Sequence, residues 1–335
     1  MRQRKKVHNA IIVIVLAIIV NFCTNIGIHA QDPLFSQFMF NQLYFNPAFA
    51  GNTQYPRLIS GYRNQWPGIG NAFVTYYASY DQYSDLVKGG VGLGMTRDIQ
   101  GDNVFSKTSF DLMYSFPVEF NSNLSANLGL EASLVQKSLD GSSLIFNDQN
   151  PYQTPTITEN IPNQSKVFPD FSAGASFLYK EQYQINFSVN HLNKPNEMAG
   201  YTYIYPSSMR FNIQVLAQYP SKRRNRDNHK IVFRPGLMTQ IQRTNNFFGW
   251  GSNVLFSSFT GGLWVRNNAS LTINSFTLLA GYSQSGFSIY YSYDGWLPKN
   301  YQHVKNYGAH EVTFIYLFQY NDPRKKMRIV KCPKF

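Results

Sequence analysis

Charge is scarce in this sequence: Asp, Glu, Lys and Arg make up 14% of its residues, against roughly 25% in ordinary globular chains. Long apolar stretches are scarcer still. After residue 30 none exceeds the five residues Phe314–Phe318, which excludes membrane-spanning helices, since each needs about twenty. Only two cysteines occur, Cys23 and Cys332, and the first lies in a segment expected to be removed, so no intramolecular disulfide is available to the mature chain. Signatures of chemistry are missing too. There is no G-x-S-x-G, H-E-x-x-H, Walker loop or C-x-x-C pair, and His191, His229, His303 and His310 have no second His or Cys at metal-ligand spacing. His310 and Glu311 are adjacent in an expected strand, so they face opposite sides and form no dyad. Asp98 and Asp102 bracket a turn, read either as a calcium site or as a plain Asp/Gly turn. The expectation is a protein that is not an enzyme and has no cofactor and no metal.

What is present begins with an export signal. Arg2, Arg4, Lys5 and Lys6 precede an apolar run from Ala10 to Val20, and the segment ends at Ala30 before the polar Gln31. That layout is a signal peptide, although Ile28 departs from the small residue usual three places before cleavage. Removing residues 1–30 takes away four basic and no acidic residues and leaves +8 of the formal +12. Aromatics, at 16%, are abundant, and mean hydropathy is nevertheless negative. A wall greasy on one side and wet on the other has this composition.

Period two decides the class. From Leu124 to Leu134 every even position is apolar, while the odd positions are Ser125, Asn127, Gly129, Glu131 and Ser133. The pattern recurs in Tyr183–His191, Phe211–Tyr219, Phe287–Tyr293 and Val91–Met95, the last with glycine on the alternate face. Fourteen such stretches, from 57–66 to 309–319, predict an all-β, transmembrane, antiparallel up-and-down barrel of about 14 strands. The stretches include 107–116, 124–136, 170–179, 209–219 and 230–241. Pro235 is expected at a bulge or strand end. If the chain starts on the periplasmic side, the long connections near 137–169, 192–208 and 295–308 face outward. Tight ones such as Pro117–Asn123, Lys180–Gln182 and Ser283–Ser285 then face inward, as in outer-membrane barrels.

The organisation expected is a signal peptide (1–30), a short N-terminal periplasmic or plug-like segment (31–56), an outer-membrane barrel (57–320) and a basic periplasmic tail (321–335). Two basic stretches fall on the inward side, Pro220–Lys230 with Arg223, Arg224 and Arg226, and the tail with Arg324, Lys325, Lys326, Arg328, Lys331 and Lys334. They are read either as solvated charge or as a dock for an acidic periplasmic partner. Nucleic acid is not an expected partner; outer-membrane lipid is.

A family resemblance enters with the mature N-terminus. Asp32-Pro-Leu-Phe-Ser-Gln-Phe-Met-Phe-Asn41, Phe45-Asn-Pro-Ala-Phe-Ala-Gly51 and Tyr62-Arg-Asn-Gln-Trp66 before Pro67-Gly68 resemble the opening signature of the PorP/SprF family, outer-membrane proteins of the Bacteroidetes type IX secretion system. Gly92-Leu-Gly94, Pro235-Gly236, Tyr291-Ser-Tyr-Asp294, Gly308-Ala-His-Glu-Val312 and Cys332-Pro-Lys-Phe335 extend the resemblance along the chain. It implies a barrel serving type IX secretion or gliding motility. Such a barrel would support secretion or surface anchoring of a particular large adhesin and contact periplasmic, peptidoglycan-linked components. The alternative class is a passive channel or small-hydrophobe transporter. Candidate partner-binding residues are Asp32, Phe35, Gln37, Asn46, Pro47, Arg63, Gln65 and Trp66, with Arg223, Arg224 and Arg226. For residues 32–51 the competing reading is structural, a plug in which Phe35, Phe38, Met39, Tyr44, Phe45 and Phe49 bury themselves. Arg63 and Gln65 share one face of the first strand, where an inward Arg pairs with lumen polar groups, and Trp66 fits an interfacial girdle.

Overall fold

The computed structural model describes residues 32–69, 72–143, 163–197, 206–220, 231–243, 245–268, 272–297 and 308–319. The basic stretch 221–230, with Arg223, Arg224 and Arg226, lies outside these residues, as do the tail 320–335 and the export signal. Fourteen antiparallel strands close into a barrel: β1 Arg57–Gln65, β2 Phe73–Ser84, β3 Gly89–Gln100, β4 Phe105–Asn121, β5 Leu124–Leu139, β6 Gln164–Tyr179 and β7 Tyr183–Asn190. They continue with β8 Arg210–Ala217, β9 Ile231–Gln242, β10 Asn245–Phe256, β11 Phe259–Asn268, β12 Ile273–Gln284, β13 Phe287–Trp296 and β14 Ala309–Leu317. A two-residue piece, Tyr219–Pro220, prolongs β8 along β9. Closure comes from β1, which pairs with β2 on one side and with β14 on the other, from Arg57↔Leu317 to Gln65↔Ala309. A closed ladder leaves no sheet edge to be satisfied by water, the requirement for spanning lipid with strands.

The alternation sorts the side chains as expected. In β7, Gln184, Asn186, Ser188 and Asn190 are buried in the lumen while Tyr183, Ile185 and Phe187 are exposed. In β5, Leu128, Leu130 and Leu134 face outward, and with Leu93, Phe110, Leu112, Phe171, Leu237, Leu263 and Leu278 they form an apolar belt. No helix among the described residues is long and apolar enough to cross a membrane.

Two connections are shorter than their sequence suggests. The expected break at Pro117–Asn123 shrinks to a turn at Ser122–Asn123, because β4 continues through Pro117, which sits opposite Asn127. β3 last pairs with β4 at Gly90↔Ser115, so Pro117 has a neighbour on one side only, the edge-like setting where a residue without N–H is tolerated. The 137–169 connection likewise narrows to 140–163, since β5 and β6 stay paired up to Leu139↔Gln164, with Pro169 opposite Leu134. Pro235 marks neither a bulge nor a strand end: it lies inside β9, opposite Ser252 in an unbroken register with β10, and is tolerated because its other side meets a gap. The β8–β9 ladder is interrupted beside it, resuming at Phe233↔Tyr219 without change of register. The connections 140–163, 191–209 and 297–308 all leave the same end of the barrel, here called the long-loop end. The turns 85–88, 122–123, 180–182, 257–258 and 285–286 mark the short-turn end.

Residues 32–56 fill the lumen. Phe35, Phe38, Met39 and Phe45 pack with Ile59, Tyr77, Leu216, Met238, Phe247 and Trp264 of the wall. Phe40 stacks on Tyr290 with ring centroids 3.6 Å apart, and Leu43, Phe49 and Ala50 pack on Met113. Each fully buried apolar side chain of this size contributes roughly 1.5–3 kcal/mol. A one-turn helix, α1 (Gln42–Phe45), and a 3-10 turn at Pro47–Phe49 fold the segment back on itself, and Tyr44 Oη donates to Pro33 O at 2.9 Å. Asn46 begins the 3-10 turn, its Oδ1 accepting the Ala48 N–H at 2.9 Å, with Pro47 at the position where a missing N–H is harmless.

Candidate functional site

The geometry that matters is how this plug is fastened, and three polar locks do it. Near the long-loop end, Arg63 on β1 reaches Asp294 on β13 and Glu311 on β14, both at 2.9 Å. The Glu311 carboxylate also accepts the backbone N–H groups of Ser36 (2.8 Å) and Gln37 (3.1 Å) from the plug. Ser36 Oγ donates to Asp294 at 2.5 Å and accepts from Arg63 and Arg266, while Gln37 Nε2 donates to Ser292 Oγ and Glu311 O. Arg63, Asp294 and Glu311 are out of water, so each depends on the others for compensation.

The second lock holds the first described residue. Asp32 accepts from Lys107 (2.7 Å), Arg210 (3.1 Å) and Gln242 (3.2 Å), and pairs with His191 Nε2 at 2.7 Å. His191 Nδ1 meets Asp170 at 2.5 Å on its other side. Burial alone would raise the Asp32 carboxyl, but Lys107, His191 and Arg210 together hold it well below the ordinary value. Burial opposes a charged His191, yet Asp32 and Asp170 raise it to about 9, so the imidazole is a cation at neutral pH. Tyr44, pushed up to about 12 by burial, remains a phenol and lies under the Arg210 guanidinium, 4.8 Å from its ring centre. Beside this lock is a pocket of about 60 Å³ bordered by Asp98, Asp111, Glu131, Lys107 and Arg210.

The third lock lies towards the short-turn end. Arg57, the first residue of β1, pairs with Asp81 at 2.9 Å and donates to Gln42. Asp81 also accepts the Gly51 N–H at 2.8 Å. Asn46 Nδ2 donates to the carbonyls of Ala175 and Phe187, 3.1 Å each, fixing the middle of the plug to β6 and β7. Close approach here relies on glycine: a Cβ on Gly90 would lie 1.8 Å from Ala50 O, and one on Gly129 2.2 Å from Ala48 N. Below the plug, at the short-turn mouth, opens a vestibule of about 660 Å³.

The structure thus gathers Asp32, Phe35, Gln37, Asn46, Pro47 and Arg63 into the plug and its locks. Gln65 ends β1, half-buried and paired with Phe73 and Ala309. Trp66 follows with φ 61°, donates its N–H to Gly308 O, and meets Phe73 and Trp296 edge-on. Arg223, Arg224 and Arg226 fall outside the described residues. Sequence reasoning missed Lys107, Asp170, His191, Arg210, Asp294 and Glu311 as locking residues. The one available signal was that Glu311 and Asp294 sit at inward-facing positions of apolar strands. His310 and Glu311 do face opposite sides, Glu311 fully buried and His310 against Tyr291 Oη. Asp98 points inward to Thr75 and Gln100, whereas Asp102 lies in an exposed turn. Among the described residues no group of three or more His, Cys, Asp or Glu could hold a metal ion.

Comparison with solved structures finds barrels of low similarity. Omp33 of Acinetobacter baumannii is 8% identical with TM-score 0.44, covering 80% of this chain and 100% of that one. The toluene transporter TbuX of Ralstonia pickettii is 8% identical with TM-score 0.46, covering 84% and 94%. A FadL homologue of Pseudomonas aeruginosa is 12% identical with TM-score 0.42, covering 82% and 93%. No curated protein matches. Residues 28–316, nearly the whole of the described barrel and its plug, match the type IX secretion system membrane protein PorP/SprF family. The signature at Asp32–Trp66, the closed barrel and that match converge: the chain belongs to the PorP/SprF family of type IX secretion system membrane proteins, and its fold is consistent with an outer-membrane location.

Proposed function

We propose that this protein is an accessory of type IX secretion or gliding motility. In this reading it gives a particular large adhesin-like client a docking place in the outer membrane and connects it to periplasmic, peptidoglycan-linked machinery. The long-loop end faces outward and the short-turn end, with the basic stretches 221–230 and 320–335, faces the periplasm. The observation that carries the reading is the filled lumen. A segment fastened by three buried charge networks suits a scaffold better than a conduit, because a freely conducting pore has no use for a plug bound from one mouth to the other. The signature residues then act indirectly: Asp32, Phe35, Gln37, Asn46, Pro47 and Arg63 hold the plug, and the plug sets the shape of both mouths. Gln65 and Trp66, at the outer rim of β1, lie where a client would meet the barrel.

The test is co-purification from the native membrane with a large secreted protein encoded beside this one, in wild type and in a chain carrying Arg223→Gln, Arg224→Gln and Arg226→Gln. The proposal expects the client in both preparations and the periplasmic components only in the first. A barrel that inserts normally, binds no surface protein and passes small solutes would overturn it in favour of a transporter.

A further inference from the structure

The vestibule at the short-turn mouth belongs to none of the three locks. It is walled by the β4–β5 hairpin from Pro117 to Asn127, by Tyr83 and Asn52 opposite, and by Ser176, Leu178, Glu181 and Gln184. Its volume, about 660 Å³, is in the range of pockets that hold organic ligands, roughly 300–1,000 Å³. Among the described residues no Lys, Arg or His lines it, whereas two carboxylates do, Glu119 and Glu181. Lys180 on the rim is engaged elsewhere, over the Tyr179 ring at 5.2 Å. The remaining polar lining is amides and hydroxyls rich in acceptors, and one acceptor is unanswered. Gln184 is buried and its Nε2 donates to Ser176 Oγ at 3.0 Å, but its Oε1 has no partner. An unmatched buried acceptor costs about 1–3 kcal/mol, so the site favours an occupant that brings donors and positive charge.

The chain carries such a segment to this mouth. β14 ends at Leu317, the Phe318 N–H donates to Pro56 O, and Gln319 lies against the Gly286 turn, all at the short-turn end. Beyond it residues 320–335 carry Arg324, Lys325, Lys326, Arg328, Lys331 and Lys334 against a single acidic residue, Asp322. Extended chain covers about 3.3 Å per residue, so this length is ample to cross the mouth of a small barrel. We propose that the basic segment 322–335 docks in the acidic vestibule of its own barrel, drawn by the negative charge of the vestibule at Glu119 and supplying a donor to the Gln184 acceptor. The proposal is independent of which membrane face the mouth occupies and of the client.

Cys332 supplies the test, because it is the only cysteine after residue 23. In the full chain, Ser122→Cys places a second thiol on the vestibule rim. Ser257→Cys places one on the β10–β11 turn of the same mouth, away from the vestibule. A short bis-maleimide linker should join Cys332 to position 122 within one chain and leave position 257 largely unlinked. Adding Glu119→Gln should lower the yield at 122 by about threefold, the scale of one exposed ion pair, and high salt should lower it in the same direction. Equal linking at both turns would overturn the proposal, as would linking indifferent to Glu119 and salt. A product of two chains would assign the vestibule to a second copy instead.

Discussion

Glu311 fastens the plug through its backbone as well as through charge. It accepts two plug backbone N–H groups and the Arg63 guanidinium while fully buried. Replacing it with Gln keeps the volume and removes the charge, leaving Arg63 with Asp294 alone. Breaking a buried ion pair from one side costs about 3–5 kcal/mol, so Glu311→Gln should lower the unfolding midpoint in detergent markedly. The double change Glu311→Leu with Arg63→Met removes both charges and should recover part of that loss. Equal instability of the single and double variants would show that the charges do not compensate one another. Gly129 lets the plug approach the wall closely. With its would-be Cβ 2.2 Å from Ala48 N, Gly129→Val should push the 3-10 turn off the wall while the ladder of β5 stays intact. Limited proteolysis would then cut within residues 32–51 in the variant and not in the parent. Uncut plug in Gly129→Val would mean that the approach is slacker than the geometry states.

Among the elements, the strands were legible because their code is local and the plug was not because its code is distant. Gln184, Asn186, Ser188 and Asn190 announce the inner face of β7 within eight residues. The limits were proline: Pro117 reads as a break in the sequence, yet the register lets β4 run past β3 and absorb it. In the plug, the cluster of Phe35, Phe38, Phe45 and Phe49 predicted burial, and that much was readable. The identity of its partners was not, since Asp32 meets Lys107, His191 and Arg210 across separations of 75 to 178 residues. No periodicity encodes such pairings. They also give the plug a pH dependence. His191 binds its proton more tightly in the folded lock, about 9 against an ordinary 6.5. Its contribution is therefore complete below about pH 6.5 and lost as pH rises through about 9. Asp32, held low, contributes above its ordinary value near 3.8 and loses that contribution as the solution becomes strongly acid. Protease access to residues 32–51 should therefore rise between pH 7 and 10, and His191→Gln should flatten that rise. An unchanged profile in the variant would remove His191 from the lock.

At the scale of the whole molecule, a closed wall of fourteen strands surrounds a segment of its own chain, fastened near both ends and in the middle. The apolar belt outside and the polar wall inside follow from period two alone. An occupied lumen was one of two readings of the aromatic signature at the N-terminus, and family membership rests on the match over residues 28–316. The proposed scaffold role requires that this plug seal the lumen. Single-channel recording of the purified full chain in planar bilayers tests it most directly, alongside a chain carrying Asp32→Asn, Arg63→Gln and Gly129→Val. A silent bilayer is expected with the native chain, and steady conductance once the locks are broken. Steady conductance from the native chain, no different from the triple variant, would contradict it.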